Sequence, residues 1–469
     1  MRLTGIALAT SVLLAGCAIP SSRPELSPLP DTSLGLSATG AAQTPAIADD
    51  WWRSFGDTQL DRLVTDAQAG NPTLEAALAR VRQASAILAS SRADNGPNAA
   101  FDASAQYSRP SGQYEIPPPF AGTTRFLGQA QAGLNWNLDL FGRQKAVIAG
   151  ARASSRAALL DATAARLALA GSVVQTYIEL ARAEQLAGIA QRTIVTRQGS
   201  LRLVQVRIRN KLASELDSQA AETLLAQAQQ ALVRATAQRA LAANALAALA
   251  GRGTDYPATI TPATLKLDTA LPLPSSIPAD LLARRADVAA ALARIDAASE
   301  GRLAARRAFY PDINLSALVG LQAIGIGNFF SADAGTAGAG AAIHLPIFDN
   351  GRLKAGLAGA TAGVDLAIAD YNEKVVSAVR ETADALTRIQ SFAADRARQA
   401  EVVRGFAETG RLNTIRVSSG LESRLGLVDN DVRLLDAQQA DANLAADAAS
   451  QRVALVLALG GGFDPKDMK

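Results

Sequence analysis

The sequence predicts a mainly α chain with β, built from a duplicated unit of two strands, one very long helix and a shorter returning helix. Three observations predict it. Residues 120–256 and 347–464 contain no proline and are rich in Ala, Leu, Arg, Gln and Glu, all strong helix formers. Short segments ahead of both stretches alternate apolar and polar residues, the period-two pattern of strands. The whole arrangement recurs at an offset of about 209 residues, the mark of internal repetition.

Composition agrees. Of 469 residues, 49% are hydrophobic by a count that includes alanine, but only 4% are aromatic. Such a chain fills a compact core poorly and suits helices packed closely side by side. With 46 basic against 43 acidic residues, no bulk pull towards nucleic acid arises and no nucleic-acid partner is expected. One cysteine and one histidine exclude a disulfide framework and argue against a thiolate- or histidine-built metal site. No acid, base and nucleophile set converges, so neither an enzyme nor a cofactor is expected.

The N-terminus opens with Met1-Arg2, then an apolar run from Gly5 to Ala15 ending in Leu14-Ala15-Gly16-Cys17. This resembles a bacterial lipobox, so residues 1–16 read as a signal peptide and Cys17 as a covalently lipidated mature N-terminus. Ala18, where aspartate is absent, suggests sorting to the outer membrane. Residues 17–50 form an extended proline-rich tether. No later segment offers ~18 uninterrupted apolar residues, so no transmembrane helix is expected. An acyl chain alone holds weakly, and firm residence needs a second membrane element.

The first repeat spans 51–278: lead-in helices over Asn71 to Asp94, two strands within about 100–140, tube helices over 143–250 and a linker. The second spans 279–462: lead-in helices over Ala279 to Phe309, strands within about 311–347 and helices over 350–459; residues 463–469 are a tail. Leu167, Val174, Ile178, Leu186, Val204 and Ile208 draw a helical stripe along the first long run. A helix from Arg143 to about Lys211 would rise roughly 100 Å, too long for one globule, so it must lie against long neighbours. Ala130, Ala132, Leu134, Trp136 and Leu138 alternate with Gln129, Gln131, Asn135, Asn137 and Asp139; Ile313 to Leu321 and Ala337 to Leu345 do likewise. These lengths suit strands crossing a bilayer at a tilt. Four strands cannot close a barrel, so the chain must oligomerise. Val173-Val174 matches Val375-Val376, and Leu212-Ala213-Ser214 is set against Gly420-Leu421-Glu422.

Ordered motifs then run from residue 51 to 462. They are Trp51-Trp52 with Phe55, Asp57 and Leu60; Asn71-Pro72-Thr73-Leu74; Leu138-Asp139-Leu140-Phe141-Gly142-Arg143; Leu282 to Val288; Phe309-Tyr310-Pro311; Leu345-Pro346-Ile347-Phe348-Asp349-Asn350-Gly351-Arg352; and Leu457 to Gly462. Together they resemble the outer-membrane channel lipoproteins of tripartite efflux systems, the TolC/OprM/NodT type. Ala286 stands where that family commonly has proline, and Phe463 where it has tryptophan. The resemblance implies a homotrimer with a 12-stranded outer-membrane β-barrel and a 12-helix periplasmic α-barrel, passively conducting small molecules. It implies partnership with a periplasmic adaptor and an inner-membrane pump, and a periplasmic tip closed at rest.

In that family a pore-facing acidic residue lies nine residues after the tip glycine, which from Gly420 lands on Asp429. Asp436, one heptad on in Leu434-Leu435-Asp436-Ala437-Gln438, imitates the local sequence better but fits the distances worse. Arg411 and Arg416 are candidate latch partners, and Asp217 is the first-copy analogue. His344 is expected to face pore water, Gly460-Gly461-Gly462 to stop a helix, and Arg284-Arg285 with Asp287 to form an internal ion pair. The alternative class is a non-conducting periplasmic scaffold or adaptor lipoprotein, against which the duplicated strands weigh.

Overall fold

The computed structural model describes residues 22–30, 34, 47–113, 119–268 and 281–463. The expected signal peptide and Cys17 lie outside the described residues. The elements run α1 (Thr58–Gly70), α2 (Pro72–Ala93), β1 (Asn98–Ser108), β2 (Arg125–Leu138), α3 (Arg143–Arg209) and α4 (Glu215–Leu249). Then follow α5 (Ala286–Arg307), β3 (Asp312–Ile324), β4 (Gly335–His344), α6 (Asn350–Ser418) and α7 (Arg424–Ala458). The repetition is visible in the lengths: α2 and α5 have 22 residues each, α4 and α7 have 35 each, and α3 and α6 have 67 and 69.

The chain divides into two compact units. The first contains residues 80–158 and 290–371 and holds the sheet. All four strands pair antiparallel in the order β1-β2-β3-β4. The registers place Phe101, Ala132, Val319 and Ala337 on one face, in line with Leu134, Trp136, Leu315 and Ile343. Asp102, Gln131 and Thr336 share the other face with Gln129, Asn135 and Asn314. In the same unit the N-terminal segment lies on α6. The Asp365 carboxylate accepts from the backbone N–H groups of Glu25 and Leu26 at 2.8 and 2.9 Å, and Ser22 Oγ donates to Thr361 Oγ1 at 2.7 Å.

The second unit contains residues 29–79, 159–289 and 372–469, and it holds the main core. Trp51, Trp52, Phe55, Leu60 and Val64 pack on Val173, Val174, Tyr177 and Ile178 of α3, with Leu246, Val453 and Val456 closing the cluster. Asp57 begins α1: its carboxylate accepts from the N–H groups of Gln59 and Leu60, capping the helix. The same carboxylate accepts from Tyr177 Oη at 2.9 Å and Thr264 Oγ1 at 3.0 Å. Burial pushes the Tyr177 hydroxyl well above its ordinary value, so it stays a donor. One window of α3 is apolar enough by length and composition to cross a membrane, but half of it is buried in the protein. The run Leu169–Ala181 supplies the core instead.

A joint is built twice in this unit. In the first repeat Asn71 caps α2, accepting from Thr73 and Leu74 N–H, and its Nδ2 donates to Leu249 O at the end of α4, at 2.9 Å. In the second, Arg285 precedes α5 and its Nη1 donates to Ala458 O at the end of α7, at 3.2 Å. Each returning helix then ends in a left-handed glycine, Gly251 (φ 65°) or Gly460 (φ 101°). A Cβ on Gly251 would lie 1.9 Å from Gly70 O, and one on Gly460 would lie 1.8 Å from Arg284 O. Gly460 thus stops α7 as expected, and it also lets two backbones meet. Ala286, where the family commonly has proline, is the first residue of α5, as Pro72 is of α2. Proline suits that position because its missing N–H has no helical partner there. Arg285 also pairs with Asp287 and Glu381, each at 2.8 Å, which makes the expected ion pair.

Candidate functional site

Two places can act on a passing solute: the polar face of the sheet and the turns that join the helix pairs. The apolar face is exposed within the chain, with Phe101 at 70% and Ile343 at 71% of full exposure. An apolar surface of that extent beside a polar one needs a non-aqueous neighbour on one side only. Among the described residues β1 and β4 each pair along one edge, so the sheet is open at both ends, which a lone membrane sheet cannot be. His344 sits at the end of β4 opposite Asp312, on the polar face.

The strand-to-helix motifs follow the sheet. Asp139 leaves β2 and caps α3, its two carboxylate oxygens accepting from Gln144 N–H at 2.9 Å and Lys145 N–H at 2.8 Å. Phe141 stacks on Tyr310 with centroids 5.1 Å apart. Gly142 is left-handed, and the Arg307 guanidinium donates to its carbonyl. Arg143 starts α3. In the second copy Arg352 binds Asp349 through Nε at 2.7 Å, next to Gly351 in the first turn of α6. Phe348, after Pro346, is fully exposed at 100%, unlike its stacked counterpart Phe141. The two motifs share a sequence but not their packing within one chain.

At the turns, residues 210–214 join α3 to α4 and 419–423 join α6 to α7. Both close the same way. Lys211 N–H donates to Ile208 O and Leu212 N–H to Arg207 O; Gly420 N–H donates to Val417 O and Leu421 N–H to Arg416 O. This is the paired bond of a Schellman cap, with Lys211 (φ 60°) and Gly420 (φ 73°) in the left-handed position. The pairing corrects the sequence match by one residue, since Leu212 corresponds to Leu421 and Lys211 to Gly420. A side chain in that conformation costs about 1 kcal/mol or more relative to glycine. Lys211→Gly is therefore expected to raise the urea unfolding midpoint by an amount equivalent to about 1 kcal/mol; an unchanged midpoint would show that lysine is unstrained there.

The predicted site residues have these places. Asp429, near the start of α7, pairs with Arg433 one turn on, at 3.0 Å. Asn430 beside it is buried and donates to Phe406 O at 3.0 Å, which turns the Asp429 carboxylate outward. Arg411 pairs with Glu408 at 2.6 Å and Arg416 with Glu422 at 3.3 Å. Both arginines are thus engaged within their own chain, and neither reaches Asp429. Asp217 accepts from Ser214 N–H at 2.7 Å and completes a capping box at the start of α4, which holds its carboxyl below the ordinary value. Asp436 is exposed one heptad beyond Asp429. Asp431, which the sequence reading passed over, is half-buried, and burial pushes its carboxyl up. These exposed pairs are screened by solvent and hold little of the fold. Among the described residues no cluster of three or more His, Cys, Asp or Glu side chains could hold a metal.

Known proteins carry the same arrangement. FusA, the fusaric acid resistance protein of Burkholderia cepacia, is 35% identical over 368 residues, covering 76% of this chain and 69% of the relative. The pyoverdine export outer membrane protein OpmQ of Pseudomonas putida is 31% identical and covered, like this chain, over 97%. The crystal structure of the outer membrane protein VceC from Vibrio cholerae matches with a TM-score of 0.81 at 31% identity, over 89% of this chain and all of the other. The sequence profile described as outer membrane efflux protein matches residues 63–252 and 277–461. The duplicated helices, the two-faced sheet and these matches agree, and the chain belongs to the outer membrane efflux protein family, as an efflux channel of the outer membrane.

Proposed function

We propose that three copies form a passive exit duct, closed at its periplasmic tip at rest and opened by docking on a periplasmic adaptor and an inner-membrane pump. Cys17, lipidated, tethers each copy through residues 17–50. The domain boundaries follow the repeats, 51–278 and 279–462. The observation that best supports the reading is a four-stranded sheet with one apolar face, one polar face and both edges open. Three such sheets joined edge to edge make a closed 12-stranded barrel with no free edge. The duct needs no cofactor and no catalytic group, because the pump supplies the energy. The names of the relatives speak of fusaric acid resistance and of pyoverdine export; in a wide aqueous duct the pump makes the main choice of cargo.

Asp429 is the proposed gate. Three symmetric carboxylates at a constriction repel anions, attract cations and accept hydrogen bonds from arginines such as Arg411 and Arg416 of a neighbouring copy. The motif residues Phe141, Gly142 and Arg143, with Pro346, Phe348, Gly351 and Arg352, turn strand into helix. Single-channel recording of the lipidated protein in a planar bilayer tests this. Small, cation-selective openings are expected, growing several-fold in Asp429→Ala, whereas Asp436→Ala should behave like the parent. Growth in Asp436→Ala alone would move the gate one heptad. A well-inserted trimer silent in every form would overturn the duct and revive the scaffold.

A further inference from the structure

Asp102 is unusual by position. Of the acidic and basic residues in the four described strands, all the others sit at a strand end: Arg125 begins β2, Asp312 begins β3 and His344 ends β4. Asp102 alone lies inside a strand, the fifth of the 11 residues of β1. A carboxylate at membrane depth is costly unless it meets water. The register places it on the polar face, opposite Gln131, in a row that continues through Gly320 to Thr336. Nothing in that row is basic. Arg125 on the same face lies six residues before Gln131 in β2, about 20 Å at 3.4 Å per residue. Phe101 next door points to the apolar face, so a one-residue slip would exchange an aromatic for a charge.

We propose that Asp102 is a charge-selecting residue of the barrel itself, forming, in the trimer, a ring of three carboxylates separate from the helical tip. The inference rests on the duct reading above. Strands about 4.8 Å apart and tilted about 40° close a 12-stranded barrel at a radius of about 12 Å. A carboxylate reaching about 3.5 Å inward then stands about 8–9 Å from the axis. That is close to the screening length of about 10 Å at 0.1 M salt and well beyond the 3 Å at 1 M. The ring therefore biases the whole cross-section towards cations in dilute salt and loses its hold in concentrated salt. Its counterion-like partners are cationic solutes, so it favours positively charged cargo and opposes anionic cargo.

The test is the reversal potential of the full-length protein in planar bilayers across a KCl gradient, in the parent and in the Asp429→Ala background, where the tip charge is gone. Asp102→Asn is expected to lower the potassium-to-chloride permeability ratio about twofold near 0.1 M, with the difference vanishing near 1 M; Asp102→Lys is expected to invert the preference. A conducting channel whose ratio is the same in all three forms overturns the proposal and leaves the duct intact. A second readout does not need current. Asp102→Cys should react with a charged, water-soluble thiol reagent in intact outer membranes, while Phe101→Cys should not. The reverse pattern would put residue 102 against lipid and overturn the proposal. Labelling at 102 in a trimer that passes no current in either background would sink the duct, and the selectivity with it.

Discussion

Gly460→Val is expected to remove most folded, heat-resistant oligomer from the outer membrane, a destabilisation of about 4 kcal/mol or more. Two independent costs combine. The residue adopts φ 101°, which a β-branched side chain does not tolerate. Its Cβ would also stand 1.8 Å from Arg284 O and 2.8 Å from the carbonyl carbon. Both obstacles are backbone, so no rotamer change relieves them. The end of α7 would have to withdraw from the turn before α5, breaking the bond from Arg285 to Ala458 O. The first repeat supplies an internal replicate: Gly251→Val meets Gly70 O at 1.9 Å and would break Asn71 from Leu249 O. Gly405, within α6, has nothing within 4 Å of its Cβ, and Gly405→Ala should leave yield and unfolding midpoint unchanged or raised. Parental oligomer yield and midpoint for Gly460→Val would show that the two backbones do not need their close approach.

The joint explains which parts of the fold were legible. The long helices could be read because proline is missing from two stretches and a 3.6-residue stripe runs along them. The strands could be read because their two faces differ so sharply, Phe101 and Trp136 on one, Asp102 and Asn135 on the other. The joint could not be read by matching like with like. Asn71 and Arg285 share a task but not a residue type, and the lead-in helices are offset by 214 residues where the returning helices are offset by 209. The tip shows the same limit on a smaller scale. A left-handed position announces itself when glycine fills it, as at Gly420, and is hidden when lysine does, as at Lys211. The expected gate carboxylate is harder still. Spacing favours Asp429 and local sequence Asp436, while the packing around them, buried Asn430 and half-buried Asp431, is not written in either signal. What faces Asp429 across the trimer axis depends on other copies, which no pattern within one chain encodes.

Arg285→Ala should cost about 2–4 kcal/mol at neutral pH, the range for removing one partner of a largely buried pair, reduced because Glu381 reaches solvent. Arg285 is only 9% exposed. It binds Asp287 through Nε and Nη2 at 3.0 and 2.8 Å, Glu381 through Nη1 at 2.8 Å, and Ala458 O. Truncation strands two carboxylates and a helix-terminal carbonyl at once. Burial by itself would push the Asp287 carboxyl up, but the hydrogen bonds and charge of Arg285 outweigh it and hold it below the ordinary 3.8. A depressed carboxyl stabilises the fold fully above its unfolded value and loses that contribution as pH falls through its folded value. The parent should therefore lose stability on acidification below about pH 4 through this site. Arg285→Met, which keeps bulk and removes the charge, should lack that component, so the gap between parent and variant should narrow from pH 7 to pH 3. Urea unfolding midpoints at the two pH values measure the gap. A gap that stays constant would separate the arginine's packing from its charge and show that the Asp287 pairing contributes nothing to holding α5 against the end of α7.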